Sequence, residues 1–235
     1  MSSAFSRAIL GAEGVGRVPL VVDIKPVSPR DGDLVGTRHP ADLARALDRA
    51  GVCALSVVTE PEHFGGSLPM LREVCSAVSL PVLRKDFLRT PEDVDASLEA
   101  GAAAVLLTLS TVSELDAPGL YRRIVSLGME PLVEVHTLAE LHFAMGLTPR
   151  PTIIGINNRD ITRLETDSGD VRVTEALAPE VPAGVAILSE SALLTPEDVA
   201  RAFAAGAHAV LIGTAVLKAA DPAAEVARLA DAIGG

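Results

Sequence analysis

Leu80-Pro81-Val82-Leu83-Arg84-Lys85-Asp86-Phe87 decides how the chain is read. Its first four residues form an apolar run with branched side chains, as in a strand buried on both faces. The run gives way abruptly to three charges, and Thr90-Pro91-Glu92-Asp93 follows. That tetrad is a helix start: a capping threonine, proline at the first helical position and acids in the first turn. Lys85 therefore stands at the carboxyl end of a strand, just ahead of a strand-to-helix loop. In parallel α/β folds that end of the sheet binds ligands. Taken alone, Arg84-Lys85-Asp86 would equally suit a solvated cap on a strand, but the same arrangement recurs along the chain.

Working outward, residues 50–57 (AGVCALSV), 100–107 (AGAAAVLL) and 205–212 (AGAHAVLI) repeat one pattern. Each is a helix end, a glycine able to take positive φ, and an apolar strand, the mark of a stacked repeating unit. Further strands are expected at 20–25, 80–83, 132–135, 153–156 and 186–188. Thr137-x-x-Glu140 is a capping box, Thr195-Pro196-Glu197-Asp198 repeats the Thr90 pattern, and Asp221-Pro222 opens the last helix. Residues 40–50 read as an amphipathic helix, and the loop at 26–39 has a length usually associated with function or mobility. Strands starting near 20, 53, 80, 104, 132, 153, 185 and 209, each followed by a helical segment, predict one (β/α)8 TIM barrel over residues 1–235. Residues 1–17 would be a short N-terminal helical extension. A doubly wound open sheet is the alternative, but it usually carries a glycine-rich dinucleotide fingerprint after its first strand, and none is present.

The 235 residues are 49% hydrophobic and only 3% aromatic, so the core is aliphatic and each phenylalanine needs a reason. A net charge of −11 argues against nucleic acid as a partner, though positive charge gathered locally still suits an anionic small molecule. Cys53 and Cys75 fit neither a disulfide framework nor a metal spacing and read as reduced core residues. No apolar run approaches the roughly 18 residues needed to span a bilayer. The expectation is a soluble, cytoplasmic monomer with no membrane partner, no metal and no cofactor.

The strand ends carry the chemistry. Asp23 and Lys25 on strand one point the same way, because side chains alternate. Lys85 ends strand three and Glu134 lies on strand five; Asn157, Asn158 and Arg159 end strand six. Glu190 and Ser191 follow strand seven, and Gly213 and Thr214 strand eight. Charges brought together in a barrel mouth are costly unless paired, so mutual neutralisation in a polar plug is the plain alternative to a site. Gly213-Thr214, leading into a helix-like segment after strand eight, suits an anion. Phe64, Phe87, Leu106 and Leu164 lie on or just beyond strand ends and suggest a flat apolar pocket wall, or ordinary rim packing. His136 has no histidine partner at metal-ligand spacing and reads as a non-ligand.

These residues together resemble the indole-3-glycerol-phosphate synthase family, the barrel enzymes of tryptophan biosynthesis. The likeness runs in order from about Phe5 to the C-terminus. It is carried by Asp23-Ile24-Lys25-x-x-Ser28-Pro29, Phe64-Gly65-Gly66-Ser67, the stretch from Leu80 to Phe87, Leu132-Val133-Glu134-Val135-His136, Gly155-Ile156-Asn157-Asn158-Arg159 and Ser189-Glu190-Ser191. The resemblance implies a carboxy-lyase that closes an indole ring on 1-(2-carboxyphenylamino)-1-deoxyribulose 5-phosphate, with loss of carbon dioxide and water. It implies Lys85 as the acid that protonates the ketone oxygen and Lys25 as the partner of the substrate carboxylate. Glu134 would serve the dehydration, with Asn157, Glu190 and Asp23 among the catalytic groups. Ser28, Arg159, Ser191, Ala192, Gly213 and Thr214 would hold phosphate and sugar oxygens, and Phe64, Phe87, Leu106 and Leu164 the aryl ring.

The departures bear on activity. Asp23 replaces the family's glutamate, which withdraws the carboxylate by about one bond, ~1.5 Å. A misplacement near 1 Å is able to cost about 100-fold in rate. Pro26 replaces an arginine, Asp31 stands where a lysine is common, and Ala192 replaces a glycine, which strains the chain if that position needs positive φ. The N-terminal region is shorter than the family's, so part of the cover over the barrel mouth is expected to be missing. The alternatives are a barrel that binds a sugar phosphate without this chemistry, and, more weakly, a ribose-phosphate isomerase with Asp23 as base.

Overall fold

The computed structural model of the chain describes residues 4–160 and 169–233. Eight parallel strands close into a barrel: β1 (Val18–Ile24), β2 (Val52–Val58), β3 (Val82–Lys85), β4 (Ala104–Thr108), β5 (Glu130–Val135), β6 (Ile153–Asn157), β7 (Ala186–Glu190) and β8 (Ala209–Ile212). Each neighbours the next, and β8 returns to β1. The helices are α1 (Ala4–Leu10), α2 (Pro40–Arg49), α3 (Leu68–Ala77), α4 (Pro91–Glu99), α5 (Ala117–Ser126), α6 (Leu138–Met145), α7 (Arg172–Leu177), α8 (Pro196–Ala204), α9 (Thr214–Lys218) and α10 (Pro222–Ala230). The (β/α)8 architecture expected from the repeats is thus the one observed. The caps form as read: Thr90 and Thr195 each accept from the backbone three residues on and are answered by Asp93 and Asp198. Among the described residues no helix is long and apolar enough to cross a membrane.

Strand alternation sorts the side chains into two cores. Leu20, Val22 and Ile24 join the layer between barrel and helices, whereas Val21 faces the barrel interior with Leu83, Ala104, Leu106, Leu132, Ile153, Leu188 and Leu211. The interior is therefore aliphatic at its lower levels and becomes charged at the carboxyl end of the strands.

Three local expectations are corrected. Strand three is Val82–Lys85 rather than 80–83. It continues through Arg84 because that guanidinium, 5% exposed, is satisfied by Thr59 Oγ1, the Asp93 carbonyl, Ser97 Oγ and Asp86. A cation paired and hydrogen-bonded in this way is tolerated in the outer layer. The loop after β1 contains a small antiparallel hairpin, Val27–Ser28 with Gly32–Asp33, too short to register as a period-two pattern. Finally, α1 does not cover the mouth. Phe5 and Ile9 join the interior core, and the Ser6 N–H donates to Glu130 Oε2 at 2.8 Å, at the first residue of β5. The short N-terminal helix closes the opposite, amino end of the barrel.

Candidate active site

Register places the site. Asp23 pairs with Ser56, Thr108 with Glu134, Glu134 with Gly155, and Asn157 with Glu190, all on adjacent strands near the carboxyl end. In a parallel barrel such pairs point the same way, here inward. Asp23, Lys25, Glu134, Asn157 and Glu190 are all buried. Lys85 Nζ lies at their centre, 3.0 Å from Glu190 Oε2 and 3.3 Å from Glu134 Oε2. Glu134 is held on both oxygens: Thr108 Oγ1 donates to Oε1 at 3.0 Å, and Asn157 Nδ2 donates to Oε2 at 3.0 Å. Asn157 is fixed in turn, because its Oδ1 accepts the Arg159 N–H at 3.0 Å. Ser56 Oγ donates to Asp23 Oδ1 at 2.6 Å.

The electrostatics follow from the Lys85 ammonium beside three carboxylates. Burial alone would lower the Lys85 pKa, but Glu190, then Glu134 and Asp23, raise it, so the ammonium persists well above neutrality. Burial works against ionised Glu134, yet Lys85, His136 and the Thr108 hydroxyl outweigh it and hold that carboxyl low. Glu190 loses the competition. Burial first, and the neighbouring Glu134 and Asp23 charges after it, push it up to about 7 despite Lys85. A carboxyl whose folded pKa exceeds its unfolded value binds its proton more tightly in the fold. Its contribution to stability is complete below the ordinary value of 4.5 and is lost as the pH rises through about 7. Replacing Glu190 by glutamine should flatten that part of the stability profile, measured as denaturant midpoints between pH 4.5 and 7; an unchanged slope would assign it to another group.

Two clefts meet at Asp23, Lys25 and Lys85. The first, about 350 Å³, is walled by Val58, Phe64, Phe87 and Leu106, with Glu134 and Glu60 at its polar side. Lys25 Nζ sits 5.5 Å from the Phe64 ring centroid, within cation–π range. The second, about 410 Å³, is lined by Arg159, Ser191, Ala192, Gly213 and Thr214. One lobe thus suits a flat apolar group, the other an anion, and the charged cluster lies between. Ser28 lines neither lobe; its Oγ accepts the Asp31 N–H at 3.3 Å and shapes the hairpin. Leu164 lies outside the described residues.

The replaced positions have visible consequences. Asp31 is paired with Arg30 and Lys218, so the reversed charge ties the loop after β1 to α9. Ser191 and Ala192 both take left-handed backbone, with φ of 65° and 56°. Gly169 packs beneath them; a Cβ there would lie 2.6 Å from Ala192 Cβ and from Arg159 Cγ. An L-residue in this region costs about 1–2 kcal/mol, and glycine's extra unfolded-state freedom offsets about 0.5–1. Ala192→Gly is therefore expected to stabilise by a few tenths to about 1 kcal/mol in chemical denaturation. No gain would mean that the alanine is unstrained there.

Sequence reasoning gives no separate role to several residues that hold the site. Thr108 continues the inward alternation of Ala104 and Leu106 and was discoverable from it; Ser56 likewise faces Asp23. Gly155 leaves space for Glu190, whose Oε1 a Cβ would approach to 2.1 Å; a glycine inside a strand is the available signal. Asn158 is a peg between strands: Nδ2 donates to Ser189 Oγ and to the Glu190 and Ser191 carbonyls, and Oδ1 accepts from Thr174. Glu60, Glu62 and His63 bring ligand-type atoms within 4.8 Å, but the Glu60 carboxylate is engaged by the N–H groups of Glu62, His63 and Phe64, which is a loop brace. Cys53 and Cys75 are free thiols, pushed by burial up to about 12 and about 11.

A family model described as indole-3-glycerol phosphate synthase matches residues 3–229. Proteins of that name from Thermococcus kodakarensis and Pyrococcus furiosus are each 43% identical, over 94% and 93% of this chain and 95% and 92% of their own length. One from Bordetella pertussis is 38% identical over 96% of this chain and 84% of its own. A solved structure, the tryptophan synthase alpha chain from Legionella pneumophila, aligns with a TM-score of 0.68 at 13% identity, covering 99% of this chain and 98% of that one. At such identity the likeness speaks for the barrel alone.

Proposed function

The chain belongs to the indole-3-glycerol phosphate synthase family, and on that premise we propose that its barrel mouth performs the ring closure with these residues in these roles. The reading is a decarboxylating lyase acting on 1-(2-carboxyphenylamino)-1-deoxyribulose 5-phosphate. The aryl ring lies among Phe64, Phe87 and Leu106, and the phosphate meets Arg159, Ser191, Gly213 and Thr214. Lys25 pairs with the ring carboxylate. The aryl carbon bearing that carboxylate attacks the ketone carbon while Lys85 gives a proton to the ketone oxygen, so no alkoxide accumulates. The carbon–carbon bond to the carboxylate then breaks, carbon dioxide leaves, and the electron pair restores the aromatic ring. Glu134 removes the C–H proton beside the nitrogen and passes a proton to the hydroxyl, which departs as water. Asn157 and Glu190 keep Glu134 and Lys85 in place, and Asp23 completes the charge balance around the lysines.

The observation that carries this reading is the position of Lys85: an ammonium stabilised by two buried carboxylates at the junction of an apolar and an anion-suited lobe. Every residue used comes from one barrel, so the proposed site needs no residue from a second subunit; the proposed enzyme is a cytoplasmic monomer acting on a phosphorylated small molecule without a cofactor. The test is turnover by the purified chain, followed by indole fluorescence and released carbon dioxide. Equimolar formation of both is expected. Tight binding of the substrate with no product over hours would instead make the chain a sugar-phosphate-binding barrel without this chemistry.

A further inference from the structure

The proposed reaction has a proton balance that the barrel mouth alone does not meet. The substrate carboxylate leaves as neutral carbon dioxide. Oxygen receives two protons, one on becoming a hydroxyl and one on leaving as water, and only one is recovered, from the C–H bond. Each turnover therefore takes up one proton from solvent. The group beside Lys85 that would return it, Glu134, is 0% exposed, and a bound substrate fills the mouth above it.

His136 lies on the far side of Glu134, two residues along the chain. Both its ring nitrogens are buried and complete no hydrogen bond among the described residues. Each nonetheless faces a carboxylate: Nε2 is 3.9 Å from Glu134 Oε1, and Nδ1 is 3.4 Å from Glu140 Oε2. A ring shift of about 1 Å would close either gap to hydrogen-bond length. Glu140, in the first turn of α6, is braced by the His136 N–H at 2.5 Å. It opens into a separate cleft of about 430 Å³, lined also by Leu109, Val112, Ala139 and Phe143 and sharing no residue with either lobe of the mouth.

We propose that Glu140 and His136 form a side path that carries the solvent proton from this second cleft to Glu134 and, across the 3.3 Å to Nζ, back to Lys85. The proton enters at Glu140 and binds His136 Nδ1; the ring releases its Nε2 proton to the ionised Glu134 carboxylate, and that carboxyl, after turning about its Cγ–Cδ bond, gives the same proton to the Lys85 amine. No redox partner is needed and no bond but N–H and O–H changes. The charged groups facing His136 are Glu134 on β5, Glu140 on α6 and Glu190 on β7. Burial lowers the ring's pKa, but these carboxylates outweigh it and raise it. Thr108 and Asn157 occupy the other donor positions on Glu134.

The inference rests on the proposed reaction, and the test separates the two. Proton uptake is followed with a pH-indicator dye in stopped flow alongside indole fluorescence, during the first turnover, for the parent chain, Glu140→Gln and His136→Gln. Glutamine at 140 keeps an oxygen for the His136 N–H and lies at a partly exposed position, so that variant keeps the fold. In the parent, uptake should keep pace with indole formation. In both variants it should lag by about tenfold or more, the scale of a lost proton-transfer group, and free imidazole should shorten the lag. A merely structural change would slow indole formation and uptake together. Uptake in step with indole formation in either variant overturns the path, whereas a parent chain that forms no indole overturns the reaction beneath it.

Discussion

Lys85→Met should lose about a thousandfold or more in kcat/KM, toward the upper part of the range for a general acid. Methionine keeps the aliphatic stem that packs above Leu83 and removes only the ammonium. Protonation of the ketone oxygen belongs to the first bond-forming step, so carbon dioxide and indole should fall together. The same change leaves Asp23, Glu134 and Glu190 facing one another without their shared cation. Breaking a buried pair in this way costs about 3–5 kcal/mol. The loss should be largest at alkaline pH and shrink on acidification, since Glu190, which burial already pushes up to about 7, gains a proton and relieves part of the repulsion. Denaturant midpoints across that range check the stability claim. A variant with wild-type turnover would remove Lys85 from the chemistry.

Glu134→Gln separates the two halves of the reaction. The amide fits the same hydrogen bonds: its oxygen accepts from Lys85 and Asn157, and its NH2 meets the Thr108 hydroxyl as an acceptor. The fold is therefore kept while the base is lost. Indole formation should fall by about 100- to 10,000-fold, the range for removing a general base. Carbon dioxide release, which precedes dehydration, should persist through a first turnover and then stall on the hydroxylated indoline. Rapid-quench measurement of both products tests this; carbon dioxide and indole falling in parallel would place Glu134 in the ring-closing step instead.

The barrel was legible because its signals are local. Three Ala-Gly-apolar repeats, Thr-Pro-acid caps and uniformly apolar strands placed every strand start within two residues. The strand ends also gave the central cluster, since alternation alone puts Asp23 beside Lys25 and turns Lys85 inward. What stayed hidden depends on three-dimensional closure. Arg84 reads as the end of a strand until Thr59, Asp93, Ser97 and Asp86 are seen to satisfy it. The strand expected at 132–135 begins two residues earlier, at Glu130, which anchors α1 across the barrel floor through the Ser6 N–H. His136 carries no partner in its own sequence pattern; its meaning comes from Glu134 on one side and Glu140, a turn of helix later, on the other. Ser28 is implied at the phosphate only by its place in a motif; its hydroxyl here accepts the Asp31 N–H.

A crystal structure with a reduced, unreactive substrate analogue tests the placement of Lys85 most directly. The account predicts the aryl ring between Phe64, Phe87 and Leu106, the phosphate beside Arg159 and Gly213, and Lys85 Nζ about 3 Å from the oxygen that replaces the ketone. An analogue bound with its phosphate in the apolar lobe, or with that oxygen out of reach of Lys85, would contradict it.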